Sequence, residues 1–524
     1  MSSMLATVLF TILAGVGVRG AYHDERRPIA YEPAAGVATG TCRINGRNFG
    51  TAQAGSQIEY RDNPTDAFTV VASTAGGVTW GTTSVTFACP AFSGQARVTI
   101  NGVGTSNTVN FYVYSLTQDA AIGDGTEVPL AVDRYCPAGV CDDWFLMGEY
   151  NNQRAYRITA AGTITTITFP QSAAPGPFTS DVGFIRSQIS GSAESVLVVG
   201  NDVFFSQGGG YGYAGTSTCN DTTCPNHSRV VRYSTTSSTV TGCYNLPGDF
   251  NSIVGLGYDT DRARVGVAAT NALLTNGSIW TFDPNQLVSN CTLDFGATEG
   301  QSCAGNQAAN CPVFGAAECP TSDAACWRQY GPMSGWNALD KIVYVGGAWW
   351  AGLTLSNGLG RVDPVTGTGT YVPFNATPIG GGRRPWTVTP LDTYLTWTEE
   401  ATRTMGRTLL AGAPSCTTLA GQWNPCIEVL PLTVGGSFIP GVTHSTYAGS
   451  DGRLWFTMYT SSPDTEGDGL GFIGPNWDHT MVLDVAALQG DGVMSSTGLH
   501  VAPDDTVTFA QFWGRRMGKL VRLN

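Results

Sequence analysis

The chain has 524 residues, 67 of them glycine and 27 proline, with only 13% charged and 42% hydrophobic residues. That is too long for one ordinary sandwich and too poor in charge for a coiled coil or other long-helix protein. The 27 basic and 40 acidic residues leave a net charge of −13; no basic cluster outgrows Arg383-Arg384 or Arg515-Arg516, which argues against nucleic acid or an anionic membrane as partner.

Abundant glycine among Thr, Ser, Val and aromatics suits short strands joined by tight turns, so an all-β protein is expected. An apolar run from Met4 to Val18, followed by Arg19-Gly20, reads as a signal peptide over residues 1–20, although no positive charge precedes it. The run is short for a membrane span, and no second stretch of about 18 apolar residues exists, so no transmembrane anchor is expected. A secretory route fits the even count of 14 cysteines and the N-glycosylation sequons at Asn220, Asn226, Asn276, Asn290 and Asn375.

Residues 28–115 form one unit of short strands, with period-two alternation in Val98-Thr99-Ile100 and Val109–Val113 and a hairpin signal at Asn101-Gly102. The Pro33–Gly36 entry, the run Ile44–Gly50, the Cys89-Pro90 step and the closing phrase before Ser115 resemble an IPT/TIG domain, an immunoglobulin-like sandwich. That resemblance implies that Cys42 and Cys89 pair with each other.

From about Thr126 to Asn524 a phrase recurs: an apolar strand, a turn and a second strand ending near an aromatic. Its copies fall at 143–170, 228–248, 257–287, 340–374, 385–412, 443–462 and 498–523. Such units of about four strands cannot each bury two sheet faces alone, which predicts a seven-bladed β-propeller over 126–524. Closure by mixing chain ends is expected, with strands near Leu499–Val501, Thr506–Gln511 and Lys519–Leu523 joined by Thr126–Val132 as a fourth. The stretches 208–226, 296–329 and 414–426 interrupt the pattern and read as inserted loops.

Cysteines close in sequence could staple such loops: Cys136 with Cys141, Cys219 with Cys224, Cys303 with Cys311, Cys319 with Cys326, and Cys416 with Cys426; Cys243 and Cys291 complete the set. None forms CxxC, and with only five histidines in the chain the pattern points to disulfides rather than zinc.

The blade phrases resemble propellers of the NHL and virginiamycin B lyase-like group, best at Thr443-His444, Ser450-Asp451-Gly452 and Trp455-Phe456-Thr457. The resemblance implies a His and a Glu acting in a magnesium-dependent elimination. Here Met458 stands at the Glu position, and a thioether neither binds Mg²⁺ nor moves a proton. In the preceding unit Glu399 is present but Arg384-Pro385-Trp386 replaces the His; in the last, Gln511 replaces the Glu and His500 falls three residues late. The pair could form only as His444 and Glu399 across adjacent blades.

Asp464, Glu466 and Asp468 alternate like the start of a calcium loop, yet Pro475 stands where the distal Glu belongs. No cofactor is therefore expected; Ca²⁺ or Mg²⁺ is the candidate that these acids leave open. Of the 13 Trp, Trp349, Trp350, Trp397 and Trp455 are candidates for stacking on a ligand, with blade packing as the competing role. The composite expectation is a secreted, non-catalytic extracellular binding or structural protein, meeting a protein or glycan or a second copy of itself. A divalent-metal-dependent lyase or hydrolase is the alternative.

Overall fold

The computed structural model describes, with short gaps, residues 27–118, 128–168, 195–207, 229–285, 327–374, 385–411, 426–459, 469–483 and 496–523. The signal peptide expected at 1–20, all five sequons, Asp464, Glu466 and Asp468 lie outside them. So do nearly all of the three inserted loops. Among the described residues there is no α-helix, and the chain is all-β.

Six separate four-stranded sheets follow one another, each an antiparallel meander in chain order, over 128–168, 196–245, 250–330, 339–373, 385–431 and 442–483. Their first strands are Val128–Tyr135, Val196–Val199, Phe250–Asp259, Leu339–Val345, Pro385–Leu391 and Val442–Ala448. Each first strand touches that of the next sheet, and the sixth touches Ser496–Val501, which in turn touches Val128–Tyr135. The first strands thus run as a closed circuit, and the sheets are arranged as in a propeller. A sheet of this kind exposes two apolar faces, so its stability depends on its neighbours.

The buried clusters follow the same circuit. Ala131, Ala155 and Ile167 of the first sheet pack on Val203 and Phe205 of the second, and Phe204 and Tyr244 of the second on Trp280 and Phe282 of the third. Further round, Ile279 meets Trp349, Trp350 meets Trp397, and Met405 meets Phe456 and Met458. Trp455 and Phe472 then pack on Leu499 and Phe509. The circuit ends where Val132, Tyr156 and Ile158 of the first sheet pack on Ala510 and Met517.

The last unit departs from expectation. Ser496–Val501, Val507–Gln511 and Arg516–Leu523 are strands, as the sequence indicates, but they do not form a seventh separate sheet. They merge with the N-terminal strands into one 13-stranded sheet. The fourth strand is Val109–Gln118, antiparallel to Arg516–Leu523 with Ser115 opposite Val521. It is not Thr126–Val132: the strand Val128–Tyr135 opens the first sheet instead, with Val132 opposite Phe145.

The strand Val109–Gln118 is long enough for two partnerships. Its first half pairs with Gly94–Ile100 and its middle runs parallel to Ala34–Val37, while its second half goes to the end of the chain. Because of this shared strand, hydrogen bonding does not set the N-terminal unit apart as a self-contained immunoglobulin-like sandwich. Its buried core is drawn from its own strands, with Ile44, Phe87, Val98 and Phe111 enclosed around Cys42, and Leu523 of the last strand packs against it. Cys42 is bonded to Cys89 and Cys136 to Cys141. Cys426 is disulfide-bonded too, and no free cysteine occurs among the described residues.

Three sheets repeat one packing device. Trp397 lies opposite Gly406, Phe456 opposite Gly471 and Phe509 opposite Gly518. A Cβ on these glycines would come within 2.1, 2.0 and 2.2 Å of the opposing ring, so each ring occupies the space that a side chain there would need. Gly471→Ala is expected to lower stability by about 1–3 kcal/mol through overpacking. Urea denaturation would check this; an unchanged midpoint would show that the Phe456 ring has room to move.

Candidate functional site

Alternation along Val128–Tyr135 sends Ala131 and Tyr135 toward the second sheet and Val132 toward the last strands. Asp133 shares the side of Ala131 and Tyr135, and its Oδ2 accepts the backbone N–H of Val198 in the second sheet at 2.8 Å. Oδ1 accepts the N–H of Arg134 at 2.8 Å and lies 3.2 Å from His500 Nε2, on the first strand of the last unit. Tyr447, on the first strand of the sixth sheet, places its hydroxyl 3.2 Å from the same Nε2, with its ring centroid 4.5 Å from the imidazole. An acid, an imidazole and a phenol from three sheets therefore meet at the seam where the circuit closes.

Burial controls the protonation of this cluster. It pushes the Asp133 carboxyl up from 3.8 to about 7, against the two backbone N–H groups and the charge of Lys341. It drives the His500 imidazole down from 6.5 to about 3, assisted by the Arg134 charge. It also raises the Tyr447 hydroxyl, as does the Asp133 charge. Near neutral pH the imidazole is thus uncharged and the carboxyl is at its midpoint. That combination can accept, hold or release a proton close to physiological pH.

The consequence for stability has a definite sign. The raised Asp133 value makes a contribution that is present below about pH 4 and lost as pH rises through about 7. The depressed His500 value makes one that is present above about 6.5 and lost as pH falls through about 3. Asp133→Asn removes the first titration. The advantage of the wild type over this variant in melting temperature is therefore expected to shrink between about pH 5 and pH 8.5. A constant difference across that range would show that Asp133 keeps an ordinary pKa.

Of the lyase-like pair, the His444 side chain lies outside the described residues and Glu399 is described. Glu399 is fully buried; its Oε1 accepts Trp397 Nε1–H at 3.0 Å and its Oε2 the Thr404 hydroxyl at 2.5 Å. Thr443 lies opposite Met458, with a bulge between Thr443 and Thr446 that takes in His444. Between the fifth and sixth sheets runs a buried hydroxyl chain: Thr398 to Thr387 at 3.1 Å, Thr387 to Thr446 at 3.1 Å, and Thr446 to Thr389 at 2.7 Å. It links the strands carrying the two candidates with groups that do not titrate.

The tryptophans proposed as stacking faces are consumed by packing. Trp349, Trp350, Trp397 and Trp455 are at most 1% exposed. Trp349 covers Gly266, Trp397 stacks on Phe374 at 5.0 Å, and Trp455 meets Tyr114 edge-on at 5.5 Å. Trp350 has the Arg361 guanidinium 5.8 Å from its ring. Among the described residues no three His, Cys, Asp or Glu side chains converge as metal ligands, and no helix is long and apolar enough to cross a membrane.

Sequence reasoning singled out His500 only as a misplaced histidine and missed Asp133 and Tyr447. Each sits on a different first strand, with no shared spacing. The one available signal was a charged residue within an otherwise alternating apolar strand, Ala131-Val132-Asp133.

No family model matches the chain, and no curated protein does. Solved structures similar to it include the β-propeller domain of the Trilobed protease from Pyrococcus furiosus, at 7% identity and a TM-score of 0.37, covering 76% of this chain and 94% of that one. A putative 6-phosphogluconolactonase from Bacteroides fragilis matches at 9% identity and a TM-score of 0.37, over 75% of this chain and 89% of that one. The calcium-binding protein regucalcin from Agrobacterium tumefaciens matches at 10% identity and a TM-score of 0.32, over 76% and 94%. At these scores the architecture rests on the sheet order and packing above.

Proposed function

We propose that this chain is a secreted, non-catalytic binding or structural protein that engages an extracellular protein or glycan. In this reading residues 1–20 are a signal peptide and the sequons carry glycans. Residues 28–115 are an IPT/TIG-like module, and 126–524 form a propeller in which the composite sheet ending at Leu523 stands as a seventh blade. The observation that carries the proposal is the state of Glu399: its carboxylate is enclosed and both oxygens are already bonded to Trp397 and Thr404. Enclosed in this way, the carboxylate serves packing, out of reach of a solvent-borne magnesium ion or a substrate proton. The disulfides Cys42–Cys89 and Cys136–Cys141 agree with an oxidising compartment.

Two measurements test it. Screening extracellular glycans and cell-surface proteins against the purified chain is expected to return a specific binder, and a screen without one counts against the reading. Calorimetric titration with Ca²⁺ and with Mg²⁺ is expected to be silent. A site tighter than about millimolar that is lost on replacing Asp464, Glu466 and Asp468 would favour the metal-dependent enzyme instead.

A further inference from the structure

Asn-Gly steps occur at Asn45-Gly46, Asn101-Gly102, Asn276-Gly277 and Asn357-Gly358. Such a step is chemically labile, because the glycine nitrogen, unshielded by a Cβ, can reach the side-chain carbonyl carbon of the asparagine before it. The fold treats them differently. Gly46 lies in the strand Thr41–Arg47 with its N–H donated to the Thr83 carbonyl at 2.8 Å, and Asn45 beside it is buried. The Gly277 N–H is donated to the Trp336 carbonyl at 2.8 Å. Gly358 is buried in a strand and paired on both sides, with Leu353 and with Pro373.

Asn101-Gly102 is the exception. Both residues are exposed, at the tip of the hairpin that joins Gly94–Ile100 to Gly104–Thr105. The turn is closed by the Val103 N–H on the Ile100 carbonyl at 3.0 Å, with Gly102 in its third position at φ 75°. The N–H of that position takes no part in the turn's own bond, and Gly102 makes no other hydrogen bond among the described residues. Asn101 is tethered from the other side. Its Nδ2 donates to the Ala54 carbonyl at 2.6 Å and its backbone N–H to Ser56 Oγ at 3.1 Å, so the side-chain amide ties the hairpin tip to the loop that precedes Gln57–Arg61.

We propose that Asn101 is a site of spontaneous modification, at which the side-chain amide is lost as ammonia and the tie to Ala54 goes with it. The Gly102 nitrogen gives up its proton to solvent and attacks Asn101 Cγ. The new C–N bond closes a cyclic imide as the Cγ–Nδ2 bond breaks, and the departing nitrogen takes up a proton from solvent to leave as ammonia. Water then opens the imide at either carbonyl, leaving aspartate or isoaspartate, and no oxidant or reductant enters the step. The product carboxylate only accepts hydrogen bonds, so it meets the Ala54 carbonyl as a second acceptor where the amide was a donor. A neutral, bonded contact becomes a repulsive one, and the loop at 54–56 is released from the hairpin tip.

The test is ageing of the full chain in warm, mildly alkaline buffer, followed by proteolysis and peptide mass spectrometry. The Asn101 peptide is expected to gain about one dalton and to split into aspartate and isoaspartate forms, while the Asn45, Asn276 and Asn357 peptides of the folded chain lag by about tenfold or more. In urea with the disulfides reduced, the lag should vanish, since the same dipeptide then reacts at each position. Asn101→Gln lengthens the side chain and should suppress the conversion. Asn101→Asp carries the product's charge from the start and should speed amide exchange at 54–56 while leaving 41–47 as in the wild type. Conversion at Asn45 or Asn357 as fast as at Asn101 in the folded chain, or wild-type exchange at 54–56 in Asn101→Asp, would overturn the proposal.

Discussion

Arg453→Ala is expected to destabilise the protein by about 3–5 kcal/mol, the range for stripping one partner from a buried ion pair. Arg453 is 2% exposed and sits in the turn before the second strand of the sixth sheet. Its guanidinium donates to Asp451 and to the Tyr114 hydroxyl, reaches Asp505 at 3.5 Å, and lies 4.3 Å from the centre of the Tyr112 ring. Arg522 stacks on the same ring at 4.6 Å and also approaches Asp505 at 3.6 Å. This one cation therefore joins the sixth sheet, a turn of the last unit and the shared strand Val109–Gln118. Removing it leaves Asp451 and the buried Tyr114 phenol without the guanidinium that they share, while Asp505 keeps Arg522. Arg453→Lys restores the charge but not the planar fork, so it should recover only part of the loss. A midpoint shift worth less than about 1 kcal/mol in chemical denaturation would mean that the ring is held at this point by apolar packing alone.

Replacing Cys42 and Cys89 together by serine is expected to cost about 4 kcal/mol, the loop-closure value for a bridge whose cysteines are 47 residues apart. The bridge is enclosed: Cys42 is fully buried beside Ile44 and Phe87, and a Cβ on Gly36 would come within 2.0 Å of its sulfur. Melting followed by tryptophan fluorescence and by a probe in the N-terminal unit should fall together, because the strand that completes the last sheet is the same one that crosses this core. If only the N-terminal probe moved, the two parts would be energetically separate despite the shared strand.

Much of this architecture is legible in the sequence, because the responsible physics is local. The Asn101-Gly102 turn joins Gly94–Ile100 to Gly104–Thr105, with Gly102 at φ 75°, and the last three strands fall where alternation puts them. Turn aspartates recur as well: Asp259, Asp363, Asp451 and Asp504 each accept a backbone N–H two residues on, a bond that only a short acidic or amide side chain makes in place. What alternation cannot reveal is partnership. Val109–Gln118 and Val128–Tyr135 both read as half-buried strands, and nothing local tells which of them lies against the chain's last strand. The tryptophans were ambiguous for a related reason, since a flat ring serves a ligand or a neighbouring sheet equally well and only burial decides. The cluster of Asp133, Tyr447 and His500 was beyond reach, because it forms only once the first strands of three sheets are brought together.

Closure by the strand from the N-terminal unit is the claim on which the rest depends, and hydrogen exchange read by mass spectrometry tests it most directly. Amides in 113–118 should be as strongly protected as those in 519–523, and Arg453→Ala should weaken both segments in step while leaving the third and fourth sheets protected. Rapid exchange of 113–118 in the intact protein, with 519–523 still protected, would contradict the account and mean that the last sheet is completed by something else.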